Sequence, residues 1–154
     1  MNDPVEILLV EDNPHDLKLT LNAFARHNLT HRIHVARDGE EALDFIFGRE
    51  PPADCDIAIQ PKLILLDLKL PKVDGLEVLR QLKADPRTQL IPVVILTSSK
   101  EERDLGQGYR LGVNSYIVKP VDFDDFIEVA RSLGIYWLKL NQPPTLASLI
   151  PPAS

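Results

Sequence analysis

The chain has 154 residues, 44% of them apolar and 26% charged, with a net charge of −6 and a pI near 5.2, enough for one well-filled core without disulfide staples. The acidic balance, with no run of five basic residues, argues against a nucleic-acid footprint. The longest apolar runs are four residues against the roughly 18 that span a bilayer, and Met1-Asn2-Asp3-Pro4 lacks the basic-then-apolar opening of a signal peptide, so a cytoplasmic protein with no membrane association is expected.

In chain order, Ile7-Leu8-Leu9-Val10 is the first predicted strand. Asn13-Pro14 then reads as an N-cap with proline at the first helical position, opening a helix that carries Leu17, Leu21 and Phe24. Ile33-His34-Val35-Ala36 is a second strand, and Asp38 opens a helix with Ala42, Leu43 and Ile46. Gly48 to Pro61 is a polar, proline-bearing linker, where Cys55, the lone cysteine, reads as an incidental loop thiol that suits a reducing compartment. Leu63-Ile64-Leu65-Leu66 follows as a strand, then Asp74-Gly75 opens a helix with Leu76, Leu79 and Leu82. Val93-Val94-Ile95-Leu96 is the fourth strand, and Ser99 with Glu102 has capping-box spacing for the next helix. Ser115-Tyr116-Ile117-Val118 is the fifth strand, and Asp122 precedes a last helix running to about Leu140. Residues 143–154 hold four of the thirteen prolines and read as a tail after a domain of residues 1–142.

Three of the strands are continuous apolar runs rather than alternating ones, which suits strands covered on both faces. Five βα units in succession, joined by right-handed crossovers, predict an α/β fold: a doubly wound, five-stranded parallel sheet. Ligands of such sheets bind beyond the carboxyl ends of the strands.

Those ends are Glu11-Asp12, Asp67, Thr97-Ser98 and Lys119-Pro120. Three carboxylates on one rim repel, by about 4 kcal/mol for two unit charges 4 Å apart at an effective dielectric near 20. A proton, a lysine or a cation must offset that. Carboxylate oxygens with open water positions favour Mg²⁺, and an Asp carboxylate is a competent nucleophile toward phosphorus. Mg²⁺, Lys119 and Thr97 could then each neutralise one phosphoryl oxygen, with the small Ser98 leaving room for a donor or a water. Taken singly, Asp12 could be a turn former, Thr97 a strand-end hydroxyl and Lys119 a solvated lysine; their joint placement carries the reading.

Leu8-Leu9-Val10-Glu11-Asp12-Asn13, Leu65-Leu66-Asp67-Leu68-Lys69-Leu70-Pro71 with Asp74-Gly75, Val94-Ile95-Leu96-Thr97-Ser98 and Tyr116-Ile117-Val118-Lys119-Pro120 resemble the receiver domains of two-component response regulators, over roughly residues 5–140. The resemblance implies a flavodoxin-like (CheY-like) fold and a switch without an enzymatic turnover of its own beyond self-phosphorylation and self-dephosphorylation. It implies Asp67 as phosphoacceptor, Mg²⁺ held by Glu11, Asp12, Asp67 and the Lys69 carbonyl, and Thr97, Ser98 and Lys119 around the phosphoryl group. Thr97 and Tyr116 would be the switch pair, and the Lys119–Pro120 bond would be cis. The linker and the ending Tyr136-Trp137-Leu138 through Leu140-Asn141-Gln142-Pro143-Pro144 resemble the stand-alone regulators of cyanobacterial and bacterial phytochrome histidine kinases, which implies a phytochrome-type kinase as phosphoryl donor.

With no output domain expected after residue 140, the readout would be a partner surface. Gly106, Gly108 and Gly112 make the fourth helix marginal, either a moving part or a poorly formed surface helix. On the fifth, Phe123, Phe126, Ile127, Ala130, Gly134 and Trp137 keep core-facing spacing, while Val129, Leu133, Tyr136 and Leu140 form a second stripe for a homodimer, a partner or the tail, homodimerisation being favoured. His15, His27, His31 and His34 lack ligand spacing and read as surface residues. A rival reading, a Mg²⁺-dependent aspartyl-phosphate hydrolase of the haloacid dehalogenase type, needs an acid two residues after the nucleophile, where Lys69 stands. A flavin-binding doubly wound protein is a third, but the acidic Glu11-Asp12-Asn13-Pro14 turn lacks a phosphate cradle.

Overall fold

The computed structural model describes residues 5–26, 33–48 and 61–143. Cys55, His27, His31, nearly all of the linker and the tail beyond Pro143 lie outside them. The elements are β1 (Ile7–Val10), α1 (Pro14–Arg26), β2 (Ile33–Ala36), α2 (Gly39–Phe47), β3 (Leu63–Leu66), α3 (Gly75–Ala84), β4 (Val93–Thr97), α4 (Glu102–Arg110), β5 (Ser115–Val118) and α5 (Phe123–Ile135), which continues as a π-helical segment over Tyr136–Leu140. The strands form one parallel sheet in the order β2-β1-β3-β4-β5. This is the expected doubly wound (βα)5 fold. Among the described residues no helix is long and apolar enough to cross a membrane.

Strand alternation explains the continuous apolar runs. Ile7, Leu9, Leu63, Leu65, Val94 and Leu96 face α1 and α5, in a core that includes Phe24, Phe126 and Leu133. Leu8, Val10, Ile64, Leu66, Val93 and Ile95 face the other way, onto Ala42, Val78, Leu79 and Leu82 of α2 and α3. Every residue of β1, β3 and β4 is buried, so neither face can be polar.

Four of the five helices start as read. Asn13 Oδ1 accepts from the backbone N–H of His15 (2.9 Å) and Asp16 (3.1 Å), Asp38 caps Glu41 (2.7 Å) and Asp74 caps Glu77 (3.0 Å). Asp122 likewise caps α5 through Asp124 and Asp125. The remaining helix, α4, differs. Ser99 does not cap α4, whose N-cap is Glu101 with no side-chain bond, because the Ser99 hydroxyl is taken by Asp104 Oδ2 at 2.5 Å.

The two stripes assigned to α5 also need correction. Leu133 is buried in the core, while Phe123 is 49% exposed. Val129, Trp137 and Leu138 pack partly against that core, and Tyr136 and Leu140 are left outside. Leu133 lies seven residues beyond Phe126 and so shares the face of Phe126, Ile127 and Ala130, and Phe123 is the first residue of the helix. Only beyond Ile135 does the wider π turn drop the 3.6-residue phase. His34 is half-buried and stacks on the Phe45 ring, 3.9 Å between centroids; His15 is exposed.

Glycines separate helices that can be tightened from those that cannot. A Cβ at Gly75 would lie 2.2 Å from the Asp67 carbonyl oxygen, whereas one at Gly106 meets nothing within 4 Å. Gly106→Ala should therefore raise stability by about 0.5–1 kcal/mol, and Gly75→Ala should lower it by about 1–3 kcal/mol, both read from urea midpoints. A neutral Gly75→Ala would show that α3 need not approach the end of β3 so closely.

Candidate functional site

Each ladder continues past its strand just far enough to deliver a functional group. The Asp67 N–H donates to the Val10 carbonyl (3.1 Å), Glu11 to Ala36 (3.0 Å) and Lys119 to Thr97 (2.7 Å). Glu11, Asp67 and Lys119 are thereby fixed at the carboxyl edge by main-chain bonds. Behind Asp67 the chain turns sharply: the Gly75 N–H donates to the Leu68 carbonyl at 2.8 Å, Lys72 takes a left-handed φ of 68°, and the Lys69 N–H donates to Asp67 Oδ1 at 3.3 Å.

Lys119 is the centre of the cluster. Its Nζ donates to Glu11 Oε1 (2.5 Å), Asp16 Oδ2 (2.8 Å) and Asp67 Oδ2 (2.9 Å), using all three ammonium donors. The side chains of Lys119, Glu11 and Asp67 are 7%, 5% and 8% exposed, so solvent does little to disperse their charge. Asp12 is exposed beside them, and Glu11, Asp12 and Asp67 each offer a carboxylate oxygen, all within 4.8 Å of one another.

One proton resolves part of the conflict. Burial, then the hydrogen bond and negative charge of Asp67, push the Glu11 carboxyl up to about 8 against the opposing pull of Lys119. At Asp67 burial also pushes upward, but the Glu11 hydrogen bond, the Lys119 ammonium and the Thr97 hydroxyl together outweigh it and hold the carboxyl below its usual range. Asp67 is therefore the ionised member of the pair and Glu11 the protonated one. Burial works against the Lys119 ammonium, yet its bonds to Asp16 and Glu11 and the charge of Asp67 raise its pKa.

The donor set fits a small divalent cation. Hard carboxylate oxygens at this separation match an octahedral ion that binds at about 2.0–2.1 Å and retains water, and a doubly positive ion would take the place of the proton on Glu11.

On the other side of Asp67 lies a polar chain of contacts. Thr97 is fully buried, and its Oγ1 accepts from the Ser99 N–H at 3.3 Å. The Tyr116 hydroxyl donates to the Ser99 carbonyl at 3.0 Å, and the Ser99 hydroxyl donates to Asp104 on α4. Ser98 is exposed between Thr97 and Ser99.

Glu11, Asp12, Asp67, Thr97 and Lys119 thus meet at one edge as the sequence reading had it, with Ser98 and Lys69 at the rim. Val129, Leu133, Tyr136 and Leu140 lie away from this edge, on and beyond α5. Two participants were missed. Asp16 bonds Lys119 from the first turn of α1, and the signal was available: α1 starts where β1 ends, so an acid in its first turn faces the same edge. Ser99 links Thr97 to Tyr116, which its apparent capping-box role concealed. The Lys119–Pro120 bond, expected to be cis, is trans, the isomer that X–Pro intrinsically prefers by about 0.5–1 kcal/mol.

Comparison with known proteins agrees with this geometry. Residues 7–131 match the response regulator receiver domain. A protein of Methanothrix harundinacea named "Probable methanogenesis regulatory protein FilR2" is 44% identical over 92% of this chain and 89% of its own length. The phosphorylated cyanobacterial phytochrome response regulator RcpA superposes with a TM-score of 0.83 at 37% identity, covering 93% of this chain and all of that one (100%). The Mn²⁺-bound form of response regulator Rcp1 does so with a TM-score of 0.83 at 36% identity, over 92% and 100%. None of these supports the hydrolase alternative, and Lys69 stands where that chemistry needs an acid. The chain belongs to the receiver-domain response regulators, phosphoacceptors of two-component signalling related to the phytochrome response regulators.

Proposed function

We propose that Asp67 is the residue phosphorylated, that Mg²⁺ is the physiological cation, and that the donor is the phosphohistidine of a phytochrome-type kinase. One observation carries the assignment of Asp67: its carboxylate, 8% exposed at the end of β3, belongs to the oxygen set that fits a cation and also accepts from the Lys119 ammonium at 2.9 Å. Glu11, Asp12, Asp67 and the Lys69 carbonyl would hold the ion. When bound, the ion supplies charge neutralisation on the phosphoryl group and between the carboxylates. Lys119 turns an N–H from Asp67 to one phosphoryl oxygen, and the Thr97 hydroxyl donates to another, with Ser98 lining the open side. Moving Thr97 breaks its bond from the Ser99 N–H, and Ser99 carries that change to Tyr116 and α4. The kinase class is supported by the similarity to RcpA.

The signal leaves through surfaces rather than through turnover of a further substrate. Tyr136 (50% exposed) lines a groove of about 550 Å³ with Ile117, Val129, Leu133 and Trp137, rimmed by polar residues such as Glu128 and Ser132, and Leu140 (65% exposed) follows it in the chain, which supports a homodimer of cytoplasmic protein on this face. The receiver unit ends near residue 142, with residues 143–154 as a tail.

Acetyl phosphate with Mg²⁺ should add one phosphoryl group by intact mass, and Asp67→Asn should abolish it; undiminished labelling of that variant defeats the assignment. Cation binding must expel the Glu11 proton, so apparent affinity should fall as pH drops below about 8, approaching tenfold per unit. Titration calorimetry in buffers of different ionisation enthalpy should register the released proton. An affinity flat between about pH 6 and 8 would show that Glu11 carries no proton for the cation to expel. Tyr136→Glu combined with Leu140→Glu should convert a dimer to monomer in sedimentation velocity, and an unchanged dimer would move the interface elsewhere.

A further inference from the structure

We propose that Asp16, on the first turn of α1, is the positioning residue for Lys119: it anchors the ammonium while the other two carboxylates change partners. The inference rests on the reading of Asp67 as phosphoacceptor and Lys119 as phosphoryl ligand. Three carboxylates accept the three ammonium donors, and they are not equivalent. Glu11 and Asp67 belong with Asp12 to the oxygen set that fits a cation; Asp16 lies outside it. Its carboxylate is 22% exposed, yet Oδ2 sits 2.8 Å from an ammonium that is only 7% exposed. That distinguishes it from an ordinary acid favoured by a helix N-terminus.

Phosphorylation removes the alternatives. The Asp67 Oδ–P bond forms as the P–O bond to acetate breaks, the electron pair leaving on acetate. One Lys119 donor then passes from Asp67 to a phosphoryl oxygen, while Glu11 faces the cation. Asp16 alone keeps the bond it had. Its backbone is held for this: its N–H donates to Asn13 Oδ1 (3.1 Å) and its carbonyl accepts from the Thr20 hydroxyl (2.9 Å). Without Asp16, the long lysine stem would have no fixed counter-ion during the exchange. Loss of orientation on the scale of an ångström can cost about a hundredfold in rate.

The test pairs spectroscopy with kinetics, using Asp16→Ala and the isosteric Asp16→Asn. In cation-free protein, ¹⁵N NMR of lysine ammonium groups should show a slowly exchanging Lys119 signal, assigned by its loss in Lys119→Ala. Both Asp16 variants should broaden it. Lys83, whose Nζ donates to the Gln89 and Ile91 carbonyls at 3.0 and 2.9 Å, is the internal control, and its sharp signal should persist and report intact folding. The initial rate with acetyl phosphate and Mg²⁺ should drop at least about tenfold in Asp16→Ala and less in Asp16→Asn, which retains an oxygen acceptor. In a Lys119→Ala background, Asp16→Ala should change the rate less than about twofold. An unchanged or faster rate in Asp16→Ala, an equal loss in both backgrounds, or an unaltered Lys119 signal overturns the proposal. Lys119→Ala alone phosphorylating at the wild-type rate would instead overturn the underlying reading of the site.

Discussion

Three carboxylates bonded to one ammonium, with a fourth beside them, at the edge of a rigid sheet set the terms for this protein. Glu11 and Asp67 arrive there because main-chain bonds carry the ladders one residue past β1 and β3. They cannot retreat, because every residue of those strands is buried and interiors packed to crystal-like density do not yield. A proton on Glu11 and the charge of Lys119 offset the crowding only in part. The excess negative charge suits this edge to a cation, while Lys119 and the Thr97 hydroxyl favour the ionised form of Asp67. In the function proposed for this edge, phosphoryl transfer would alter the partner list of Lys119 without requiring the backbone beneath it to move.

Beside the sheet edge, the segment after β4 is held by side-chain contacts. The contacts from Thr97 through the Ser99 main chain to Tyr116 and through the Ser99 hydroxyl to Asp104 tie three elements to one residue. Among the described residues of α4, Gly108 is the buried one, and the N-cap makes no side-chain bond. Few buried contacts and no side-chain cap are the conditions under which an element's local stability is low.

Much of this was legible in the sequence. Unbroken quartets such as Leu63-Ile64-Leu65-Leu66 announce strands covered on both faces, and each strand-end acid then has its place in a parallel sheet. The capping residues Asn13, Asp38, Asp74 and Asp122 placed four helix starts because their side chains act on the nearest backbone. What escaped reading depended on distant contacts. Ser99 has a capping residue's spacing, but Asp104 claims its hydroxyl. Leu133 and Phe123 exchanged their expected environments: Leu133 shares the helical face of Phe126 and Ala130, and Phe123 sits at the exposed first position of α5. Asp16 resembled any first-turn acid until Lys119, more than a hundred residues later, was seen to reach it. These are tertiary overrides of local rules, which a one-dimensional pattern does not contain.

Adjacent residues of β5 face opposite ways, so Tyr116 packs toward α4 while Ile117 lines the groove beside Trp137. The chain has a single tryptophan, and it sits there, edge-on to Tyr136 at 5.0 Å between ring centroids. Its indole is consequently an intrinsic optical reporter: any shift of β5 at the Tyr116 end, or any molecule settling between β5 and α5, alters the polarity and quenching it experiences. Steady-state emission can therefore follow events on both faces of this edge strand without an added label.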